Sequence, residues 1–260
     1  MVAACAFLFC AAFTWATGAG CSTGSAGSTI VYYCDGAGWY SGGPRVKRGL
    51  RDAEFDGLFE TFTWSTLLGP GTDHLIAARS DLVSARLARR IAKYRKQYPD
   101  AKIHLMGLSA GTAVVLGSLE QLPGDVFVQN VVLLSPSVSA SRDLVPAMRH
   151  VSGCLYATSS RKDGILGPMV VNADGGDGPP AGLNGFKRPR RRRDGTTRAY
   201  AHVVNLPWQP AYLAYDWDGG HTSVTSPKFI RSVIAPRLFS DGMFPLDRPM
   251  MVLANGPGDG

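Results

Sequence analysis

Apolar residues along the chain fall into short continuous runs and into longer stretches with helical spacing. The short runs, rich in aliphatic and aromatic residues, predict strands at residues 29–34, 59–65, 102–106, 128–134, 155–159 and 200–206. The helical spacing predicts helices at residues 81–97, 110–120, 144–151 and 227–235, with Pro99 ending the first and Pro236 ending the last. Strands that are apolar on both faces and alternate with helices indicate a mostly parallel central sheet with helices on both faces. The predicted fold class is therefore α/β.

Residues 164–198 interrupt this alternation. The segment is crowded with Gly, Pro, Asp and Arg, which predicts an irregular, Arg-rich insertion. A chain of 260 residues is long enough to bury one large core. We therefore expect one domain at residues 29–240, which contains the insertion, and a C-terminal tail at residues 241–260.

Most of the net charge of +7 comes from one place in this insertion. Six basic residues lie between Lys187 and Arg193, and without them the net charge falls to about +1, so the chain does not present a basic surface for nucleic acid. Like charges repel one another, which favours a solvated surface loop. The alternative is that the run Arg190–Arg193 contacts a membrane surface through anionic lipid headgroups, or an acidic polymer.

The first twenty residues are apolar, rich in small side chains and free of charge, and a Ser/Gly-rich spacer follows at residues 21–28. This pattern predicts a signal peptide or membrane anchor at residues 1–20. The small residues before Cys21 resemble the cleavage site of bacterial lipoproteins, and the resemblance implies lipidation of Cys21. Ordinary cleavage after Gly20 and an uncleaved anchor remain open. The expected protein is exported, either as a cell-envelope lipoprotein or in secreted or periplasmic form.

Five cysteines are too few and too scattered for a disulfide framework. Cys34 and Cys154 lie in or beside predicted strands, which favours buried thiols. A disulfide between these two residues remains open at this point.

A serine lies between a predicted strand and a predicted helix, in the segment Gly107-Leu108-Ser109-Ala110-Gly111. Serine is a weak nucleophile unless a base reaches its hydroxyl and N–H groups meet the oxyanion formed on attack. A sharp strand-to-helix turn provides both, because it lifts the hydroxyl above the sheet and points the first N–H groups of the helix at the developing charge. The turn crowds the positions two before and two after the nucleophile, where this chain has Gly107 and Gly111.

With 31 glycines in the chain, a bare G-x-S-x-G match is weak evidence, and its position between a strand and a small-residue helix strengthens the interpretation. Residues 102–115 resemble the nucleophile elbow of the α/β-hydrolase family, and the order of elements stays similar to about residue 238. The resemblance implies a three-layer sandwich with Ser109 as nucleophile. It also implies an acid and then a histidine at the ends of later strands.

His221 is the histidine that fits this order. It lies in Asp218-Gly219-Gly220-His221, a glycine-rich loop between the last predicted strand and the last predicted helix, where the family presents its base. The other four histidines are less suitable: His74 and His104 precede the serine, His150 falls at a helix end, and His202 lies within a predicted strand.

Asp163 is the expected acid, because it follows the predicted strand at residues 155–159, from which the family orients the imidazole. Four aspartates remain as alternatives: Asp174, Asp177, Asp216 and Asp218. The first two lie in the glycine-rich insertion. The last two are too close to His221 in sequence to be its usual partner.

The turn after the first strand, Asp35-Gly36-Ala37-Gly38-Trp39, resembles the family's His-Gly-x-Gly oxyanion loop, with Asp35 in place of the histidine. The resemblance implies an oxyanion hole formed by the N–H groups of Ala37 and Ala110. Gly38 and Trp39 would then lie against the substrate. An ordinary strand-to-loop turn is the alternative.

These residues predict an exported serine hydrolase that cuts an acyl bond through an acyl-enzyme, with Ser109, His221 and Asp163 as its triad. The expected substrate is a carboxylic ester, either a small molecule or a lipid, and no metal or organic cofactor is implied. A peptidase or thioesterase would use the same residues. A non-catalytic, envelope-anchored binding protein could keep the same fold. The sequence makes no prediction of the oligomeric state.

Overall fold

The computed structural model describes residues 29–38, 40–64, 81–167, 171–189 and 196–241. Six strands within them form one sheet: β1 (Thr29–Cys34), β2 (Leu58–Phe62), β3 (Lys102–Leu108), β4 (Val131–Leu134), β5 (Leu155–Ser159) and β6 (Val203–Pro207). Their order across the sheet is β2-β1-β3-β4-β5-β6, and every neighbouring pair is parallel. The predicted α/β class is confirmed.

Helices connect the strands and cover the sheet. They are α1 (Gly43–Arg51), α2 (Asp81–Gln97), α3 (Gly111–Glu120), α4 (Val145–Met148), α5 (Ala181–Asn184) and α6 (Thr196–Ala201). The C-terminal helical segment, residues 227–238, is a short α-helix Pro227–Phe229, a π turn Ile230–Ile234 and a second short α-helix Ala235–Leu238. Two 3₁₀ turns, Pro210–Tyr215 and Ser223–Thr225, precede it. No helix in the described ranges is long and apolar enough to cross a membrane.

Each face of the sheet has its own hydrophobic core, because successive side chains of a strand point to opposite sides. In β1, Tyr32 and Cys34 pack on the face covered by α2 and α3, whereas Tyr33 packs on the face covered by α1 and the C-terminal helical segment. Cys154 lies on the second face, so the two thiols are separated by the sheet. Both are free, and the disulfide left open by the sequence is not formed.

The direction of strand progression reverses between β1 and β3. From β1 the chain passes through α1 to β2 at one edge, and then through α2 to β3 on the other side of β1. In parallel α/β sheets, ligands commonly bind at the carboxyl ends of the strands where the strand order reverses in this way. The loop after β1 and the turn after β3, which contains Ser109, lie at this point.

Strand β4 is shorter than predicted because of a buried polar side chain. The apolar run predicts a strand from residue 128, but β4 begins at Val131. The Asn130 side chain accepts a hydrogen bond from the N–H of Cys154 at 2.8 Å and donates to the carbonyls of Leu238 and Ser240, both at 2.9 Å. These bonds connect the start of β4 to the end of the C-terminal helical segment.

The predicted strand at residues 200–206 is wrong at its beginning, since α6 extends to Ala201 and β6 starts at Val203. Tyr200 is buried, and its hydroxyl donates to the carbonyl of Arg142 at 3.1 Å and accepts from the N–H of Leu144 at 3.2 Å. Tertiary packing of this aromatic residue outweighs its preference for strands.

The predicted end of the last helix at Pro236 is also wrong, because the helix continues to Leu238. The π turn Ile230–Ile234 lies directly before the part that contains Pro236. Proline has no N–H to donate, and here the helix changes its pitch locally instead of ending.

The described part of the insertion packs on the domain instead of extending into solvent. The N–H groups of Ala173, Ala181 and Gly182 donate to carbonyls of the loop after β4, each at 2.7 Å; these carbonyls belong to Ser137, Val138 and Pro136, respectively. Ala181 is fully buried. These positions are packed, whereas Lys187 and Arg188, the described start of the basic run, are exposed as expected for a solvated loop. Arg190–Arg193 lie outside the described residues.

Candidate active site

Ser109 occupies a sharp turn between β3 and α3, with a backbone φ of +50°. A positive φ is uncommon for a residue with a side chain and costs roughly 1–3 kcal/mol, so the surrounding structure must hold it. The N–H of Ser109 donates to the carbonyl of Leu134 at 3.0 Å, and its own carbonyl accepts from the N–H of Thr112 at 3.0 Å. The turn therefore fixes the serine at the carboxyl edge of the sheet.

The two glycines of the motif are required by close packing. A Cβ at Gly111 would overlap the carbonyl oxygens of Cys34 and Asp35, and a Cβ at Gly107 would lie 3.0 Å from the Cα of Thr112. The start of α3 therefore lies directly against the end of β1 and the loop after it. This contact brings the loop that contains Ala37 beside the turn that contains Ala110.

Asp163 and His221 form a buried hydrogen-bonded pair. The imidazole Nδ1 of His221 lies 2.7 Å from Oδ2 of Asp163. His221 is 9% exposed and Asp163 is 2% exposed. The other carboxylate oxygen, Oδ1, accepts hydrogen bonds from the N–H groups of Ile165 at 3.1 Å and Leu166 at 3.0 Å. Because Nδ1 donates to the carboxylate, Nε2 of His221 is the nitrogen left to accept a proton.

The loops that follow β1, β3, β5 and β6 meet at the carboxyl edge of the sheet. A Cβ built on Gly36 would lie 3.4 Å from the Cβ of Ser109, so the loop after β1 lies beside the serine. The Tyr40 hydroxyl donates to the carbonyl of Thr222 at 3.2 Å and is 2.7 Å from Oγ1 of Thr225. Tyr40 thus connects the loop beside Ser109 to the loop that carries His221.

The alternative acids have no hydrogen bond to His221 among the described residues. Three of them have other side-chain partners: Asp174 pairs with Arg142 at 3.0 Å, Asp216 pairs with Lys228 at 3.2 Å, and Asp218 accepts from the N–H of Gly220 at 2.8 Å and from the Ser223 hydroxyl. Asp163 is therefore the aspartate that the structure brings to the histidine.

The expected oxyanion donors are free to bind an anion. Within the described ranges, the N–H groups of Ala37 and Ala110 have no hydrogen-bond acceptor. Gly38 has a φ of +85°, a conformation that glycine adopts without strain. Trp39, expected to line the substrate site, lies outside the described residues, as does Cys21.

Asp35 organises the loop after β1, a role that sequence reasoning missed. Its carboxylate accepts five hydrogen bonds of 3.0–3.2 Å, from the N–H groups of Gly36, Gly42 and Gly43 and from the hydroxyls of Tyr33 and Ser41. Two of these donors are the N–H groups of Gly43, the first residue of α1, and of Gly42 directly before it, so the carboxylate also binds the amino end of that helix. An aspartate before several glycines and a helix start is the signal that could have indicated this role.

One further hydrogen bond holds the backbone of Asp35. The indole Nε1 of the buried Trp64 donates to the Asp35 carbonyl at 2.8 Å. Burial, and next the charge of Asp35, raise the pKa of Tyr33 well above its ordinary value, so the Tyr33 hydroxyl keeps the proton that it donates.

In the part of the chain that the structure describes, no group of three or more His, Cys, Asp or Glu side chains could hold a metal ion.

The arrangement of strands and helices is similar to that of solved α/β-hydrolase structures. The poly(3-hydroxybutyrate) depolymerase LpqC from Bordetella parapertussis is 15% identical, and the match covers 86% of this chain and 82% of the depolymerase, with a TM-score of 0.50. Lipase B of Aspergillus fumigatus is also 15% identical, and the match covers 86% of this chain and 55% of the lipase, with a TM-score of 0.54. No protein-family model and no curated protein sequence matches the chain. The chain has the α/β-hydrolase fold, as the sequence predicted.

Proposed function

We propose that the protein is a serine hydrolase that cleaves carboxylic esters. The observation that carries the proposal is the buried Asp163–His221 hydrogen bond at the sheet edge where Ser109 occupies its left-handed turn. Acyl transfer by serine needs an acid, a base and a hydroxyl from separate loops, and the sequence order here fits that requirement. The similarity in fold to a poly(3-hydroxybutyrate) depolymerase and a lipase supports an ester as the bond that is cut.

In the proposed mechanism, Oγ of Ser109 attacks the acyl carbonyl while Nε2 of His221 removes its proton. Asp163 stabilises the imidazolium through Nδ1. The oxyanion of the tetrahedral intermediate binds the N–H groups of Ala37 and Ala110, and the N-terminus of α3 adds a favourable dipole. The imidazolium then gives its proton to the leaving alcohol, which leaves the acyl group on Ser109.

The second half of the reaction uses the same residues with water. His221 removes a proton from a water molecule, which attacks the acyl-enzyme carbonyl, and the tetrahedral intermediate again binds the two N–H groups. Breakage of the bond to Oγ releases the carboxylic acid, and the imidazolium returns the proton to Ser109. No oxidant, reductant or further group is consumed.

Covalent labelling with a fluorophosphonate probe tests the proposal. The wild-type protein is expected to react, and Ser109→Ala is expected to lose all labelling while keeping its circular dichroism spectrum. Ser135→Ala is a matched control, because Ser135 also has a positive φ, of +42°, at the end of the neighbouring strand β4. If the folded protein shows no labelling that depends on Ser109, the result would contradict the proposal of a serine hydrolase and favour a non-catalytic binding protein.

Substrate class is tested separately with p-nitrophenyl esters of increasing acyl length, alongside a thioester and an anilide with the same acyl group. We expect the esters to be turned over fastest, with an initial burst of p-nitrophenol if deacylation is the slow step. Faster turnover of the thioester or the anilide would instead assign a thioesterase or a peptidase.

We further propose that the protein is exported and lipidated at Cys21; only the sequence pattern supports this step. Palmitate incorporation in a bacterial host is expected for the wild type and lost in Cys21→Ala. Cys154→Ala, which removes a buried thiol of the domain, serves as the control. Incorporation that persists in Cys21→Ala is incompatible with this proposal.

A membrane contact through the run Arg190–Arg193 is proposed on its charge alone. Binding of the domain to vesicles that contain anionic lipid should fall steeply as salt is added, because such attraction is screened over about 10 Å at 0.1 M ionic strength. Replacing the four arginines by glutamine should abolish it. Binding that does not depend on salt would contradict the contact.

A further inference from the structure

A cavity of about 580 Å³ lies at the amino ends of β4, β5 and β6. Its walls include Phe127, Ser152 and His202, which precede these three strands along the chain. All strands of the sheet are parallel, so their amino ends share one edge, and Ser109 lies at the opposite edge. The volume is within the range of roughly 300–1,000 Å³ that is typical of small-molecule sites.

Several of the residues that line the cavity are apolar. Helix α4 contributes Val145 and Met148, and α6 contributes Ala199. Phe127 also lines the cavity and is 44% exposed, although aromatic side chains gain most from burial. An alkyl chain bound in the cavity would cover this exposed apolar surface.

The lining also contains cationic side chains. Arg149, which directly follows α4, and Arg198 in α6 both line the cavity, as does His202. Neither arginine has an ion pair or a side-chain hydrogen bond within the described residues. Among the residues that the structure describes, no acidic side chain lines the cavity.

Some other arginines of the chain pair with acidic side chains. Arg142 pairs with Glu120 and Asp174, and Arg90 pairs with Glu60. Two guanidinium groups without a carboxylate repel each other, and an anion bound to both removes that repulsion while accepting paired N–H bonds. The charge of the cavity therefore complements a negatively charged ligand.

We propose that this cavity binds an anionic amphiphile, a molecule with one carboxylate head and a medium-length alkyl body. The guanidinium groups of Arg149 and Arg198 hold the carboxylate, and the alkyl body lies against Val145, Met148 and Phe127. The site is separate from the proposed ester site at the other edge of the sheet. Its occupancy does not require Ser109.

Isothermal titration calorimetry with sodium octanoate tests the proposal, on both the wild-type protein and Ser109→Ala. Both proteins are expected to bind octanoate, and 1-octanol and acetate are expected to bind about tenfold or more weakly, because each lacks one half of the recognised chemistry. Equal affinity for octanol would overturn the anionic part of the proposal. Equal affinity for acetate would overturn the amphiphilic part.

A double variant locates the binding. Arg149→Gln with Arg198→Gln should weaken octanoate binding by about tenfold or more. The matched control, Arg89→Gln with Arg231→Gln, removes the same charge from exposed positions on α2 and in the C-terminal helical segment, and it should bind like the wild type. An unchanged affinity in the first double variant, with both variants folded by circular dichroism, would show that octanoate binds elsewhere and overturn the proposal.

Competition with the fluorophosphonate distinguishes octanoate binding in the cavity from octanoate binding at the proposed ester site. Octanoate at a concentration that saturates the wild-type cavity should leave the rate of Ser109 labelling unchanged. If octanoate slows labelling equally in the wild type and in the Arg149→Gln/Arg198→Gln variant, it occupies the ester site as a product and the cavity proposal fails.

Discussion

The imidazole of His221 is bound to one oxygen of Asp163, while two backbone N–H groups of the residues that follow Asp163 bind the other oxygen. The carboxylate is therefore oriented by its own loop before the histidine approaches it. The buried carboxylate thus takes part in three hydrogen bonds, one of them with Nδ1. Nε2 is the ring nitrogen that is not bound to Asp163, and it is the nitrogen that the proposed mechanism uses as the base.

Replacing Asp163 by asparagine should lower kcat by roughly 10²–10⁴-fold with little change in KM, because the amide keeps the shape but cannot stabilise the imidazolium. Steady-state hydrolysis of a p-nitrophenyl ester measures the effect. Asp174→Asn is the control, since Asp174 is an alternative acid whose partner is Arg142 instead of the histidine. Wild-type turnover in Asp163→Asn, or a comparable loss in Asp174→Asn, would show that the acid is misassigned.

Asp35 is expected to act as a positioning residue for the oxyanion loop. Asp35→Asn replaces an acceptor oxygen by an NH₂ group that faces N–H donors, so the loop should shift and Ala37 should lose its alignment. We expect kcat to fall by about 10–100-fold and KM to change less, since the oxyanion forms only in the transition state.

Asp52→Asn tests whether this effect is specific. Asp52 is an exposed acid at the end of α1 whose nearest charged partner is Arg48 at 3.8 Å. Its replacement changes the net charge equally but leaves the oxyanion loop untouched, and kcat should remain at the wild-type value. A KM effect without a kcat effect in Asp35→Asn would place Asp35 in substrate binding instead.

Gly111→Ala should destabilise the domain and impair labelling of Ser109. The added Cβ would overlap the carbonyls at the end of β1, and such overpacking costs about 1–3 kcal/mol of unfolding free energy. Urea unfolding measures the stability. Gly124→Ala is the matched control because a Cβ there has no neighbour within 4 Å, and it should be as stable as the wild type. Equal stability of the two variants would contradict the tight contact between α3 and β1.

The sequence predicted the bounds of β1, α2 and β5 without error, because each is a uniform run with a clear signal at its ends. Helix α1 was missed. Its sequence, GPRVKRGLR, contains only two large apolar residues and a central glycine. Gly49 is explained by a distant contact, since a Cβ there would lie 2.6 Å from the Cβ of Ile230 in the C-terminal helical segment. Local periodicity does not contain this information.

The candidate site likewise contains residues that the sequence pattern predicted and contacts that it could not predict. Ser109, Asp163 and His221 were predicted from the motif and from the order of residues that the resemblance implies, and the structure joins two of them, Asp163 and His221, by a hydrogen bond. The contacts of Tyr40 with Thr222 and Thr225 join loops that are far apart in sequence, and no spacing rule predicts them. Asp35 was noticed only as a substitution for histidine. Its five hydrogen bonds depend on the path of the loop.

His104 in β3 is a buried histidine outside the proposed site. It is 1% exposed, its ring is 5.5 Å from that of Phe239, and neither ring nitrogen has a hydrogen bond in the described part of the chain. Burial, and next the charge of Lys102, lower the pKa of His104 from 6.5 to about 3. The folded protein therefore keeps this imidazole neutral at pH values where the unfolded chain protonates it.

Stability should consequently fall as the pH decreases from about 6.5 toward 3, because the unfolded state binds a proton that the folded state does not. For this one group the loss approaches about 1.4 kcal/mol per pH unit and amounts to about 2.5 kcal/mol between pH 6 and pH 4. His104→Leu removes the titrating group and keeps an apolar side chain against Phe239. Urea unfolding at pH 7, 6, 5 and 4 measures how the free energy of unfolding depends on pH. Its slope should be smaller in the variant, by an amount that corresponds to the uptake of close to one proton on unfolding. The same pH slope in both proteins would mean that His104 takes up its proton in the folded state as readily as in the unfolded chain.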